Sequence, residues 1–369
     1  MEPQLIAKAA RVGNVIESLL AALHPGRDGP TAKLLRIVPH RSVGDATCLT
    51  VRGRVVRQAP TNRRPLGGAG AIPAREHLAA VYRAFDALEV PFARVEVTLD
   101  GLQEIGECDA AGFFSVNLRA VAGAPWHSGR HTPMVRVLHT APAARAALTV
   151  GDVHAVVDVF VPGAHATLMI VSDLDDTAMD TNTISTIRSL RTVMFRSARR
   201  RQQVPGVPAL YRALQGGADG TADNPVCYIS SGAWNLYDVV LDYLDTHDLP
   251  RGAILLNDWG SRSRGFHAVA HGHKAEHVSA LLARVSSLPF LLIGDNVQED
   301  PELYTKVALQ HPGRIAAIWI REIRRDASRR RDIEALRQAL VTVGTELVMS
   351  DNTARFVNDA EARGWIPSR

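Results

Sequence analysis

From residue 166 onward, short and almost continuously apolar segments alternate with amphipathic ones. The apolar segments predict strands and the amphipathic segments predict helices. A strand that is apolar along its whole length is buried on both faces, which is typical of a parallel sheet covered by helices. The sequence therefore predicts an α/β fold, with strands at 166–173, 226–231, 253–258, 289–295, 315–320 and 346–350, and helices at 235–247, 273–285 and 300–310.

The first half of the chain has a different pattern. Segments from 92 to 164 are short, alternate between apolar and polar residues, and are separated by Gly, Pro and Asp, which predicts an antiparallel sandwich. Two further strands are predicted at 34–40 and 48–60, and a helix at 74–90. We therefore predict two domains: residues 1–165, a helix followed by a β-rich sandwich-like domain, and residues 166–369, the α/β domain.

Composition excludes several classes of protein. With 46% hydrophobic and 22% charged residues, the chain is neither disordered, collagenous nor a coiled coil. It has no run of about 18 apolar residues that would span a membrane, and the acidic second residue and broken apolar pattern predict no signal peptide. Three widely separated cysteines favour a reducing cytoplasm. Aromatic residues make up only 5% and do not interleave with the basic runs, so nucleic-acid binding is not expected.

Ligands of parallel sheets bind beyond the carboxyl ends of the strands, so those ends are where a site is expected. The first strand is followed by Asp173 and Asp175, two carboxylates that can converge on one point. One can attack a phosphorus atom while the other protonates the leaving oxygen and later activates water. The alternative is an acidic turn that caps the next helix.

Candidate phosphate-binding groups follow the next strand and precede a later helix. Ser230 and Ser231 offer a hydroxyl and backbone N–H groups, although Ser-Ser-Gly is also ordinary turn chemistry. Lys274 can hold a phosphoryl oxygen or be a solvated surface residue. Because the chain has only four lysines, the functional interpretation gains weight. A competing hypothesis assigns the histidines around it to a transition-metal site: His267, His271, His273 and His277.

The fourth predicted strand ends in Asp295, and Asp300 opens the helix that follows. Together with the carboxylates of the first strand, these two would form a hard, oxygen-rich site suited to Mg²⁺. Asp300 can also be a simple N-cap, with Pro301 at the first helical position.

The order of these motifs is more specific than any one of them. Asp-x-Asp-x-Thr, then Ser, then Lys, then Gly-Asp-x4-Asp resembles the haloacid dehalogenase-like phosphohydrolase superfamily. Within it, the chain is similar to the actin-patch phosphatidate phosphatase catalytic domain, a relative of the lipins. The similarity covers about residues 165–350 and rests on four segments, 171–177, 228–237, 257–260 and 294–304. It implies a Rossmann-like sheet with a small cap insertion at about 178–225.

The resemblance also implies a role for each motif residue. Asp173 would be the nucleophile that forms an aspartyl-phosphate, and Asp175 the general acid and base. Ser230, the backbone N–H of Ser231 and Lys274 would bind the phosphoryl group. Mg²⁺ would be held by Asp173, Asp295 and the main-chain carbonyl of Asp175, with Asp300 supporting the site.

The implied reaction is hydrolysis of a phosphomonoester, with phosphatidate converted to diacylglycerol in lipid metabolism. A phosphatase of a small phosphomonoester and a non-catalytic scaffold are the alternatives. Arginines of the predicted cap either meet anionic lipid or form a solvated helical face: Arg188, Arg191, Arg196, Arg199, Arg200 and Arg201. We expect a cytoplasmic protein with peripheral contact to an anionic membrane, and the sequence does not indicate an oligomeric state.

Overall fold

The computed structural model describes residues 34–58, 87–139, 153–174, 205–257 and 273–368. Its central element is a six-stranded parallel sheet, which confirms the predicted α/β fold. Along the sheet the strands lie in the order β14-β13-β12-β15-β16-β17. Their bounds are β12 Met169–Asp173, β13 Val226–Ala233, β14 Ala253–Asn257, β15 Phe290–Asp295, β16 Ile315–Arg321 and β17 Glu346–Ser350.

Helices cover both faces of this sheet, which is why its strands are apolar throughout. Helices α1, α2 and α6 share one buried cluster with the sheet, and α3, α4 and α5 share the cluster on the opposite face. The helices are α1 Val207–Gly216, α2 Tyr237–Thr246, α3 His273–Arg284, α4 Asp300–Gln310, α5 Ala327–Leu340 and α6 Thr353–Ala362, with short 3₁₀ turns at Trp234–Leu236 and Val341–Val343.

The chain before residue 166 forms small, mainly antiparallel sheets around their own apolar cluster. Strands β1, β3, β4 and β7 form one sheet, β5, β6, β9 and β10 a second, and β2, β8 and β11 a third. The strands are β1 Leu34–His40, β2 Ser42–Val43, β3 Cys48–Gln58, β4 Leu88–Glu89, β5 Arg94–Leu99, β6 Leu102–Glu107, β7 Phe113–Arg119, β8 Gly129–His131, β9 Met134–His139, β10 His154–Val156 and β11 Val159–Val161.

This β-rich region packs directly on the α/β part. Arg36 forms an ion pair with Asp238 at 2.9 Å, and the Tyr237 hydroxyl lies 2.6 Å from the backbone nitrogen of Arg41, which donates to it. The two parts are therefore in contact close to the strand β13. No helix in the described parts of the chain is long and apolar enough to cross a membrane.

One local prediction differs from the structure. The helix predicted at 74–90 is wrong at its end, because Leu88–Glu89 is a strand that pairs with Val56 and Arg57 of β3. Residues 207–216, inside the predicted cap insertion, form helix α1, whose Leu210 and Leu214 are buried against the sheet. The remainder of the predicted cap up to residue 204, its arginines included, lies outside the described residues, as does the N-terminal helix.

Candidate active site

The candidate site lies where two adjacent parallel strands end. Asp173 is the last residue of β12 and Asp295 the last residue of β15, and the two strands pair side by side. Both carboxylates are fully buried. Together with Asp300 they offer oxygens that all lie within 4.8 Å of one another. The structure thus brings three of the predicted carboxylates to one point.

Asp300 reaches this point because the neighbouring residue of β15 is Gly294, which has no side chain. Its Oδ2 accepts a hydrogen bond from the Asp295 backbone N–H at 3.3 Å. A Cβ atom at Gly294 would lie only 2.6 Å from that oxygen. The N-cap of α4 is Glu299, without a side-chain cap, so the N-cap interpretation of Asp300 is wrong. Asp300 instead lies in the first turn and points at the acidic cluster.

Lys274, in the first turn of α3, bridges the carboxylates. Its Nζ lies 2.8 Å from Asp173 Oδ1 and 2.8 Å from Asp300 Oδ1, and only 4% of the residue is exposed. Burial lowers the pKa of this ammonium, but the charges and hydrogen bonds of the two carboxylates outweigh burial and leave its pKa above the usual value. Lys274 is therefore a fixed positive charge and not a solvated surface residue.

One ammonium does not balance three buried carboxylates. Asp295 Oδ1 accepts backbone N–H bonds from Val297 at 2.6 Å and Gln298 at 3.1 Å. Its Oδ2 is buried without a hydrogen-bond donor among the described residues. Burial, and after it the Asp300 carboxylate, raise the pKa of Asp295 to about 7. Buried oxygen ligands with excess negative charge fit a hard divalent cation such as Mg²⁺.

Ser230 is on β13, the strand on the other side of β12. Ile229 pairs with Asp173, so Ser230 is one residue beyond the level of the acidic cluster. The residue is buried, and its Oγ accepts a hydrogen bond from the Gly232 backbone N–H at 2.9 Å. Ser231 continues the strand. Its side chain and the whole of Asp175 lie outside the described residues.

A tyrosine that the sequence did not single out supports the end of β12. The Tyr211 hydroxyl of α1 lies 2.7 Å from Ser172 Oγ, which donates to the Asp173 carbonyl at 2.7 Å. Burial raises the pKa of Tyr211 to about 12, so its hydroxyl stays protonated and donates to Ser172. This chain of two hydrogen bonds fixes the backbone at Asp173.

Arg329 of α5 is a second residue that the sequence did not single out. It donates to the carbonyls of Asn296 at 3.1 Å and Gln298 at 2.8 Å, and forms an ion pair with Glu302. These contacts hold the loop between Asp295 and α4 from the outside. Arg329 belongs to an arginine-rich run at 321–331, and these contacts give it a structural role beside the site.

The competing histidine site finds no support within the described residues. His267 and His271 lie outside them, as does the His273 side chain, while His277 is half-buried in α3. In the described part of the chain, the side chains close enough to share a metal ion are the three aspartates.

The part of the chain that contains these aspartates is similar to known proteins. Residues 168–322 match the family model described as the catalytic domain of phosphatidate phosphatase APP1. The Saccharomyces cerevisiae phosphatidate phosphatase APP1 is 28% identical over 153 residues, which are 41% of this chain and 25% of that protein. An uncharacterized protein of Schizosaccharomyces pombe is 23% identical over 160 residues, or 43% of this chain and 26% of that one.

These similarities are partial. The chain spans about a quarter of the length of the curated relatives that it matches. Among solved structures, a carbohydrate acetylesterase from Xanthomonas citri covers 84% of this chain and 74% of its own, with 14% identity and a TM-score of 0.26. A similarity at that score carries no argument about fold or activity.

Proposed function

We propose that the chain is a Mg²⁺-dependent phosphatase of phosphomonoesters, because residues 168–322 match the family model of the phosphatidate phosphatase APP1 catalytic domain. We propose phosphatidate as its substrate, with diacylglycerol and inorganic phosphate as products. The observation that carries this proposal is the buried cluster within the matched segment: Asp173, Lys274, Asp295 and Asp300.

In the first step, a carboxylate oxygen of Asp173 attacks the phosphorus atom and forms an aspartyl-phosphate. The bond from phosphorus to the ester oxygen breaks, and the electron pair stays on that oxygen. Asp175, two residues further along the chain, donates the proton that makes the leaving group a neutral alcohol. The alcohol is diacylglycerol when phosphatidate is the substrate.

In the second step, Asp175 acts as a base. It takes a proton from a water molecule whose oxygen attacks the phosphorus atom. The bond to Asp173 breaks, which restores its carboxylate and releases inorganic phosphate. Atoms and protons balance over the two steps, and the enzyme returns to its starting state.

Groups close to the nucleophile Asp173 would bind the phosphoryl oxygens. Lys274 already contacts Asp173, so it can pair with an oxygen of the bound phosphate without a large movement. The Ser230 hydroxyl and the backbone N–H of Ser231 are at the end of the neighbouring strand. Donors fixed before the substrate arrives stabilise the charge that develops on the phosphoryl group.

Mg²⁺ would be held by Asp173, Asp295 and the carbonyl of Asp175, with Asp300 supporting the site. When bound, it offsets the charge of the carboxylates and of the phosphate. The buried Asp295 Oδ2, which has no hydrogen-bond donor among the described residues, supports this assignment.

We assign residues 166–369 to a haloacid dehalogenase-like domain, with the acidic residues at adjacent strand ends as support. We assign residues 1–165 to a sandwich-like domain, supported by two four-stranded sheets that enclose a common apolar cluster. Peripheral contact with an anionic membrane would bring the enzyme to a lipid substrate.

The test is phosphate release from phosphatidate in detergent micelles and from a small aryl phosphate, each with Mg²⁺ and with EDTA. We expect Mg²⁺-dependent release from phosphatidate that disappears in Asp173→Asn. Release from the aryl phosphate alone would indicate a small phosphomonoester as substrate. No release from either, by protein that unfolds cooperatively, would contradict a phosphatase and favour a scaffold.

A further inference from the structure

A cavity of about 600 Å³ lies between the β-rich region and the residue that follows β13. Cavities of this size bind small organic molecules. Four aromatic residues line it together with polar ones, among them Glu107 and Asp109, and the lining residue from the α/β part is Trp234. We call it the aromatic cavity, and its aromatic residues are Phe92, Phe113, Phe114 and Trp234.

Strand β13 connects this cavity to the candidate active site. Ile229 of β13 pairs with Asp173, and the strand runs on to Ala233, directly before Trp234. At about 3.3 Å per residue, the four steps along the chain from Ser230 to Trp234 span at most about 13 Å. A small phosphomonoester bound at Ser230 cannot extend to the cavity, whereas an acyl chain attached through glycerol can.

The position of Trp234 is fixed by the β-rich region. Its ring stacks on the His40 imidazole with centroids 3.9 Å apart and planes 14° apart. Phe113 contacts both rings at 5.9 Å. The wall formed by Trp234 is therefore held by ring contacts from the β-rich region.

Phe92 at the cavity has two features that its packing does not explain. Its backbone has φ 55°, in the left-handed region that a bulky side chain rarely adopts. The residue is nevertheless 53% exposed, so burial of the ring does not offset the cost of the strained backbone. Strained residues of this kind cluster at ligand-binding sites. A bound apolar chain would cover the exposed ring.

Arg52 adds a polar group to the same wall. It is half-buried, and its side chain forms no hydrogen bond or ion pair within the described part of the chain. A guanidinium group can donate to the carbonyl oxygens of ester groups. Aromatic side chains beside this donor fit a molecule that carries both hydrocarbon and ester groups, whereas Glu107 and Asp109 of the same lining disfavour an anionic group in the cavity.

We propose that the aromatic cavity binds the acylglycerol part of the substrate, so that the β-rich region selects for lipid. This inference rests on the proposed phosphatase function and deepens it. The phosphate would lie at Asp173 and Lys274, and the acyl chain would pass along the end of β13 and Trp234 to Phe92. The substrate would then be held by both parts of the chain.

The test uses dioctanoylglycerol, which lacks phosphate, so that its binding does not depend on catalysis or on Mg²⁺. Titration into the full chain in dilute solution is followed by tryptophan fluorescence. We expect a saturable change that Trp234→Phe abolishes. Phe92→Asn, whose new side chain tolerates the left-handed backbone, should weaken binding about tenfold by removing apolar contact area. Ile105→Asn, at an equally exposed apolar residue of β6 outside the cavity, should not.

Three outcomes would overturn the proposal. One is the absence of saturable binding while phosphatidate is hydrolysed normally, which leaves the phosphatase function standing. Another is equal weakening by Phe92→Asn and Ile105→Asn, which indicates nonspecific apolar adsorption. The third is that Phe92→Asn weakens only the binding of anionic vesicles, which makes Phe92 a membrane contact. Binding as expected by a protein that releases no phosphate would instead contradict the proposed function.

Discussion

Replacing Lys274 by methionine removes the ammonium that bridges Asp173 and Asp300. Three buried carboxylates then remain at one point, including Asp295. Removal of one partner from a buried ion pair costs about 3–5 kcal/mol, because the other charge stays buried without compensation. Since whole domains are stable by about 5–15 kcal/mol, this is a large part of the total.

The assay is urea unfolding of Lys274→Met in EDTA and in Mg²⁺ at pH 8, above the pKa of about 7 that Asp295 has in the wild-type protein. We expect a loss of about 3–5 kcal/mol in EDTA and a smaller loss in Mg²⁺, because a bound cation offsets the same charges. Lys306→Met, at an exposed lysine of α4, is the matched control and should change stability by no more than about 0.5 kcal/mol. Equal stability of the two variants in EDTA would show that the Lys274 ammonium does not offset the buried carboxylates.

Three further predictions concern other residues. Burial, and then two nearby arginines, lower the pKa of His40 to about 3 from 6.5, so the unfolded chain binds a proton that the folded protein does not. The free energy of unfolding therefore decreases as pH falls below 6.5, by up to about 1.4 kcal/mol per pH unit. His40→Phe should remove that slope in urea unfolding between pH 5 and 7, and an unchanged slope would contradict us. Arg329→Met should weaken the apparent affinity for Mg²⁺ about tenfold or more, because it releases the loop between Asp295 and Asp300. Arg331→Met, at an exposed neighbouring residue, should leave that affinity unchanged. Equal Mg²⁺ titrations of the two variants would exclude a positioning role for Arg329. Gly294→Ala places a methyl group 2.6 Å from Asp300 Oδ2, so it should lower the free energy of unfolding by about 1–3 kcal/mol and reduce phosphatase activity. A variant that unfolds and releases phosphate like the wild type would disprove this prediction.

The parallel sheet could be predicted because its strands are apolar along their length and end in polar residues. The segment 346–350 and the helix 300–310 have the predicted bounds. The Leu88–Glu89 strand could not be predicted, because helical periodicity in 74–90 does not show that this end pairs with β3. The packing of helix α1 against the sheet could not be predicted either, because it depends on tertiary contacts.

The candidate site shows the same limit. That Asp173 and Asp295 share one edge follows from the rule for strand ends. That Asp300 turns toward them and does not cap its helix depends on the missing side chain at Gly294. Arg329 contacts the loop from more than 30 residues away in sequence, and no local pattern in the arginine-rich run identifies which arginine does so.

In the proposed mechanism, Asp173 receives the phosphoryl group. Its most direct test is to mix the protein with phosphatidate and Mg²⁺, reduce the mixture with borohydride, and analyse peptides by mass spectrometry. An aspartyl-phosphate is reduced to homoserine, whereas a free carboxylate is not. We predict homoserine at position 173, dependent on substrate and absent in EDTA. Phosphate release that continues with an unmodified Asp173, or in Asp173→Asn, would contradict covalent catalysis by Asp173.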